Sequence, residues 1–388
     1  MTIDPFSPEV ERLYQKALAG LSANTRPVYG YAHPVLIEGG AYPGIWLECG
    51  PLEAAIYGRF MPEVAIHSHS IFFHHQRPDG QFPCWIRDHT GWAQIQMVVP
   101  IAATAWEVAQ VTAREDFLTQ AYQACTRWDD WLSANRNTRG TGLCELFCGY
   151  DTGHDRSPRI AGIPNRCPEN DARNFSKERN LPWLAPDLSA TMYGGRVALG
   201  AMAVALGKPA EAQAWLEKAE AIRKAILAFC YDAEDEFFYD VDAQGNFNRV
   251  RADQITRVLG EHVVEQALFE RIYTRHIVNP EAFWSPYPLP SVALNDPHFV
   301  RLPDGSLPLN SWGGASQALT ALRAPRWFTH YGKASDLKVL MERWIEALLR
   351  ADEFMQQMDP LTGEFNTSPG YSPAMCVVLD FVDRLRVL

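Results

Sequence analysis

No stretch of this 388-residue chain is both long and apolar enough to cross a bilayer. The longest apolar runs, such as MVVPIAATAW, are short and contain proline. The start, MTIDPFSPEVERLYQKAL, lacks the basic opening and apolar core of a signal peptide. Basic blocks are missing as well. With a net charge of −11 and no Lys/Arg stripe interleaved with aromatics, the surface should repel phosphate backbones, which argues against nucleic acid as a partner. No Gly/Ser linker or charge run divides the sequence, so one domain over residues 1–388 is expected. The eight cysteines form no pairing pattern. Cys144 and Cys148 stand four apart, but no second Cys/His pair follows at zinc spacing, so they read as reduced small apolar residues. A cytoplasmic, soluble protein without metal, cofactor or membrane partner is expected, and its oligomeric state is open.

What is present is helical periodicity. PEVERLYQKALAGL places Val10, Leu13, Ala17 and Leu21 on one face, and EDFLTQAYQACTRWDDWLSAN does the same with Phe117, Ala121, Ala124, Trp128 and Trp131. MVVPIAATAWEVAQVT, APDLSATMYGGRVALGAMAVALGK, PAEAQAWLEKAEAIRKAILAFCYD, QITRVLGEHVVEQALFERIYT, WGGASQALTALRAPRWFTHYG, ASDLKVLMERWIEALLRADEFM and SPAMCVVLDFVDRLRVL continue the series. Asp187 reads as a cap at the start of one of them, and Gly207 as the end of the same helix. In HSHSIFFHHQ, His67 and His74 share a helical face with Ile71, which points to packing rather than metal. The strand signal is weak, with EFFYDVDAQGNF predicting a hairpin. The expected fold class is all-α, roughly a dozen helices in antiparallel pairs.

Long proline-rich loops separate the helices and carry the polar aromatics: WLEC, WIRDHTGWAQIQ, GYDTGHDRSPR, FWSPYPLP, SWGGASQ and DPLTGEFNTSPGYS. Loops of such length inside a compact chain are usually functional. If the helix pairs close into a toroid, the loops converge at one end. A pocket of Trp, Asp, Glu, Gln and Arg there suits a polyhydroxylated ligand, because amides and carboxylates pair with vicinal hydroxyls while indoles cover apolar sugar faces. The candidate contacts are Trp46, Glu48, Trp92, Gln94, Gln96, Trp284, Tyr287, Trp312 and Gln317.

The segments FHHQRPDGQFPCWI, DTGHDRSPR, APDLSATMYGG, FFYDVDAQG, FWSPYPLPSVALNDPHF and MDPLTGE, in that order, resemble the (α/α)6-barrel inverting glycoside hydrolases of the mannosylglycerate hydrolase and processing α-glucosidase type, and more distantly trehalases. The resemblance runs from about Trp46 to the C-terminus. It implies an (α/α)6 toroid and an inverting α-glycosidase acting on a small α-linked glycoside, a disaccharide or a glycosyl-glycerate-like compound. It also implies Asp155 as general acid, Asp151 as a neighbour that raises its pKa or binds sugar, and Arg159 as a brace of the loop or a ligand of a sugar hydroxyl. An inverting site needs a second, ionised carboxylate to activate water. Where the family commonly has that glutamate, this chain has Gln356. Glu364 is then the expected base, with Glu353 in reserve, and Gly313 replaces an arginine of the family's late loop.

Two other functions fit the same toroid. A sugar 2-epimerase would use histidines such as His67, His154, His276 or His330 as its acid/base pair. A catalytically silent sugar-binding protein is consistent with Gln356.

Overall fold

The computed structural model describes residues 3–176 and 178–388. Twelve α-helices are present among them: α1 (Pro8–Ala23), α2 (Gly50–Tyr57), α3 (Pro62–His74), α4 (Ile101–Thr112), α5 (Glu115–Asn135), α6 (Pro186–Ala205), α7 (Pro209–Phe229), α8 (Gln254–Gly260), α9 (Gln266–Ile272), α10 (Ala318–His330), α11 (Ala334–Ala351) and α12 (Ser372–Val387). The even-numbered helices pack in sequence, α2 on α4, then α6, α8, α10 and α12, and α12 closes back onto α2. The odd-numbered helices lie outside this ring: α3 packs on α2 and α4, α5 on α4 and α6, α7 on α6, α11 on α10 and α12, and α1 on α12. The architecture is the expected (α/α)6 toroid.

Composition explains which helices go inside. α12 buries residues all round its circumference, from Ser372 to Val382, and α6 does so over most of its length. A helix apolar on every side must be surrounded by protein. Outer helices keep one apolar stripe instead. In α11 it is Leu337, Leu340, Met341, Trp344, Ile345 and Leu348, spaced by three and four. The faces of α5 and α1 read from the sequence are likewise buried.

Local chemistry accounts for the differences from the sequence reading. QITRVLGEHVVEQALFERIYT does not form one helix. His262 adopts a left-handed φ of 59°, which separates α8 from α9, and one turn of π-helix follows over Tyr273–Ile277. MVVPIAATAWEVAQVT becomes helical only after Pro100. In the histidine-rich α3 the buried ring is His69, bonded to the Ala65 carbonyl and Thr104, whereas His74 is exposed. EFFYDVDAQGNF lies within two short antiparallel pairs, Tyr231–Asp232 with Phe237–Phe238 and Asp240–Val241 with Phe247–Asn248.

Each inner helix is preceded by a long connection, and each but α12 is followed by a short one. All six inner N-termini therefore face the same rim, and the long loops gather there. Helix N-termini carry partial positive charge, so this rim favours anionic side chains. None of the described helices is long and apolar enough to cross a membrane.

Candidate active site

The loop expected to carry the chemistry is built around Asp151. Its carboxylate is fully buried and saturated, accepting from the backbone N–H groups of Ile95, Phe147 and Cys148, with Arg136 Nη2 at 3.5 Å. Asp151 thus holds the loop in shape. It has no lone pair to offer a sugar, and it is not among the groups that shift Asp155. The same guanidinium approaches Cys167 Sγ at 3.9 Å, so the Cys148–Asp151–Cys167 group already contains a cation.

Arg159 also turns inward. Its guanidinium is completely buried and clamped by two carboxylates, Asp187 (2.6 and 2.7 Å) and Asp240 (both 2.6 Å). The brace role fits this position; contact with a sugar does not. Asp187, read as a helix cap, makes no capping bond and pairs instead with Arg159 and Arg257. Burial pushes its carboxyl up, but the two arginines outweigh burial and hold it below the usual range. Arg159 Nη1 also donates to His154 Nδ1 at 3.0 Å. The proton of this imidazole must then sit on Nε2, which lies 2.9 Å from Asp253 Oδ1. Burial, reinforced by Arg257, pushes His154 down to about 4, so the ring is neutral at ordinary pH.

Against this rigid frame Asp155 turns outward and remains partly accessible. Its backbone carbonyl accepts from Trp312 N–H at 2.9 Å, and its Oδ2 accepts from Asn310 Nδ2 at 3.1 Å. Burial raises its pKa; Asn310 and the guanidinium groups of Arg156 and Arg166 oppose the rise. Glu48 stands beside this loop. Burial, and then the charge of Asp155, raise its carboxyl to about 8. Gln96 opposes that rise from beside Glu48, and Gln94 Nε2 donates to Gln96 Oε1 at 3.2 Å. Trp46 and Trp312 belong to one apolar cluster with Cys49 and Val98, and Trp312 lies against His154 with ring centroids 4.8 Å apart.

Asp155, Glu48, Trp46, Gln94, Gln96 and Trp312 thus come together as expected. Gln317 lies behind them, donating to the Ser311 carbonyl. Four expected residues do not join the group. Trp92 is capped by the Arg77 guanidinium at 4.0 Å. Trp284 packs on Phe328. Tyr287 donates to Glu346 on α11. Glu364, the expected base, is exposed in a surface depression with Arg350, Met355 and Phe365, because the tight turn around Gly363 (φ 72°) aims it outward. The reserve, Glu353, pairs with Lys16 on the surface. The histidines of the epimerase reading are dispersed: His67 stacks on His33, His276 bonds the Asp235 carbonyl, and His330 stacks on His262.

The sequence reading missed several neighbours. Glu38 and Glu53 lie beside Glu48, both buried, and both oxygens of Glu53 lack a hydrogen-bond partner. Burial raises Glu53 to about 8. The folded protein thus holds this proton to about pH 8, against 4.5 for the ordinary carboxyl. The stability it contributes is complete below pH 4.5 and drains away as pH rises through 8. Glu53→Gln keeps the neutral form, so its urea midpoint should fall less than the parent's across that window. Parallel curves would contradict this assignment. Gly153, the left-handed residue (φ 67°) before His154, has the Glu48 carboxylate where a Cβ would sit. Gly153→Ala should therefore displace Glu48 and cost at least tenfold in kcat while circular dichroism stays unchanged.

Comparison with known proteins agrees with this architecture. The family model described as the mannosylglycerate hydrolase MGH1-like glycoside hydrolase domain matches residues 50–372. No curated protein matches the sequence. Among solved structures, the GH63 mannosylglycerate hydrolase from Thermus thermophilus in complex with glucose superposes with a TM-score of 0.74, at 19% identity, covering 95% of this chain and 99% of that one. The same enzyme has been seen with Tris and D-glycerate. Neutral trehalase Nth1 from Saccharomyces cerevisiae gives a TM-score of 0.70 at 13% identity, over 90% of this chain and 73% of that one. A rhamnosidase from Klebsiella oxytoca gives 0.66 at 10% identity, over 99% and 65%. The chain belongs to the mannosylglycerate hydrolase MGH1-like glycoside hydrolase family.

Proposed function

We propose that the protein is an inverting hydrolase of a small α-linked glycoside, with Asp155 as the general acid. The observation that carries this reading is the pairing of two partly accessible carboxyl groups, Asp155 and Glu48, each raised by burial, beside Trp46 and Trp312. Inversion needs one carboxyl group that gives its proton to the leaving oxygen and another that takes a proton from water on the opposite face. Since Glu364 stands on the surface, Glu48 is the group we assign as base. Glu38 and Glu53 are sealed from solvent, and Gln356 is an amide.

The pair suits that division because its protons are linked. The Asp155 charge is what raises Glu48 after burial. When Asp155 carries the proton, that repulsion vanishes and Glu48 ionises more readily. The working form is singly protonated: burial favours the proton on Glu48 at rest, and the tautomer that carries it on Asp155 is the one that reacts. Similarity to a mannosylglycerate hydrolase supports a short glycoside as substrate.

The test is proton NMR of the first turnovers on α-linked disaccharides and α-glycosyl glycerol and glycerate. Appearance of the β-anomer is expected; prompt appearance of the α-anomer would refute inversion.

A further inference from the structure

Next to Asp155 lies a hollow of about 270 Å³, and its chemistry bears on what leaves from the acid. The hollow shares Asn310 with Asp155, and its walls include Tyr42, Gln356, Asn366, Thr367 and Ser368. Every one of these side chains is a hydroxyl or an amide. They are pre-arranged by each other. Tyr42 donates to Gln356 Oε1 at 3.0 Å, Gln356 Nε2 donates to Asn310 Oδ1 at 3.0 Å, and Thr367 Oγ1 accepts from Gln356 N–H at 2.9 Å. That Thr367 oxygen still has its own proton to donate.

Among the described residues, no lysine or arginine lines the hollow. Arg301 holds Asp359 with both terminal nitrogens, Arg156 donates to the Leu309 carbonyl at the rim, and Arg166 acts on Asp155 from outside the lining. Of the acids on the other side of Tyr42, burial keeps Glu38 protonated, and the Asp155–Glu48 pair carries one negative charge in its working form. An anionic group placed there would meet the charge of the Asp155–Glu48 pair with no cationic side chain in the lining among the described residues, whereas a polyol would find donors and acceptors on every side.

We propose that this hollow is the leaving-group subsite and that it takes a neutral polyhydroxy unit, a glyceryl group or a second sugar, while rejecting carboxylates and phosphates. The proposal rests on Asp155 being the proton donor, since that places the leaving oxygen at its side. It narrows the substrate class to neutral glycosides.

A matched pair of substrates tests it: the α-glycosides of glycerol and of glycerate, for both glucose and mannose. The expected result is kcat/KM at least tenfold higher for the glycerol glycoside at low salt, with the gap shrinking as salt is added. Thr367→Lys should shrink it further by supplying a cation, which a merely structural effect of the substitution would not do. Equal or faster turnover of the glycerate glycoside would overturn the proposal. If neither compound is hydrolysed, the hydrolase reading fails separately, and calorimetric titration of the Asp155→Asn protein with both compounds decides the subsite. Tighter binding of the glycerol glycoside upholds it; equal or tighter binding of the glycerate glycoside, or binding of neither, overturns it.

Discussion

The Asp155→Asn protein is expected to hydrolyse an alkyl glycoside or disaccharide about a thousandfold more slowly than the parent, within the range general acid catalysis supplies. Its loss should depend on the leaving group. An alcohol of high pKa cannot depart without a proton, whereas nitrophenolate can, so the nitrophenyl glycoside should lose far less. Glu48→Gln should behave differently, because activation of water is needed whatever departs; both substrates should lose activity to a similar extent. A uniform loss for Asp155→Asn, or full activity in Glu48→Gln, would remove the corresponding assignment. The fold should survive both changes. Asp155 makes one side-chain hydrogen bond, to Asn310, and each substitution exchanges a carboxyl for an amide of the same size.

The second large effect concerns stability. Replacing Arg159 with Met should destabilise the protein by about 3–5 kcal/mol, the cost of breaking a buried ion pair on one side. Asp187 would still have Arg257 at 3.2 Å, but Asp240 would be left with its charge buried. Burial already raises Asp240 despite Arg159. Adding Asp240→Asn to Arg159→Met should therefore recover part of the loss, which a double-mutant cycle in urea would measure. Additive losses would mean that the two groups do not act together. Because Arg159 Nη1 fixes the His154 tautomer, the single variant should also lower kcat by loosening the stretch of chain that carries Asp155.

Helix existence was legible because it rests on local periodicity, and the faces of α1 and α5 needed no tertiary information. Breaks such as that at His262 were not legible, since a left-handed residue other than glycine leaves no pattern in composition. The site was legible in part for the same reason. Asp155, Glu48, Gln94, Gln96 and the two tryptophans stand on loops that enter inner helices; loop position and residue type marked all but Asp155, which the resemblance to the glycosidase family singled out. The direction of a side chain is a different matter. Asp151 and Arg159 share the loop of Asp155 but face the frame, because the backbone N–H groups of Phe147 and Cys148 claim the first and the carboxylates of Asp187 and Asp240 claim the second. Glu364 stands apart from the group because the Gly363 turn leaves it on the surface. Glu38 and Glu53 escaped notice because nothing in WLECG and its flanks reveals that three glutamates crowd together.

Ring closure has a consequence for how the protein acquires activity. The last helix seals the toroid by packing on α2, and the first stretch of the site is tied to it directly. Ser372 donates its N–H to the Glu38 carbonyl and its hydroxyl to that of Ile37, while Cys376 Sγ reaches the Glu53 carbonyl at 3.7 Å. These contacts join residues more than 300 positions apart, so the entropy of closing that loop is met only when the whole chain is available. The acid pocket between Glu38 and Glu53 is thus among the last features to form. A chain lacking α12 is therefore expected to have no active site even where its earlier helices form, and a partly folded molecule should be inactive rather than weakly active.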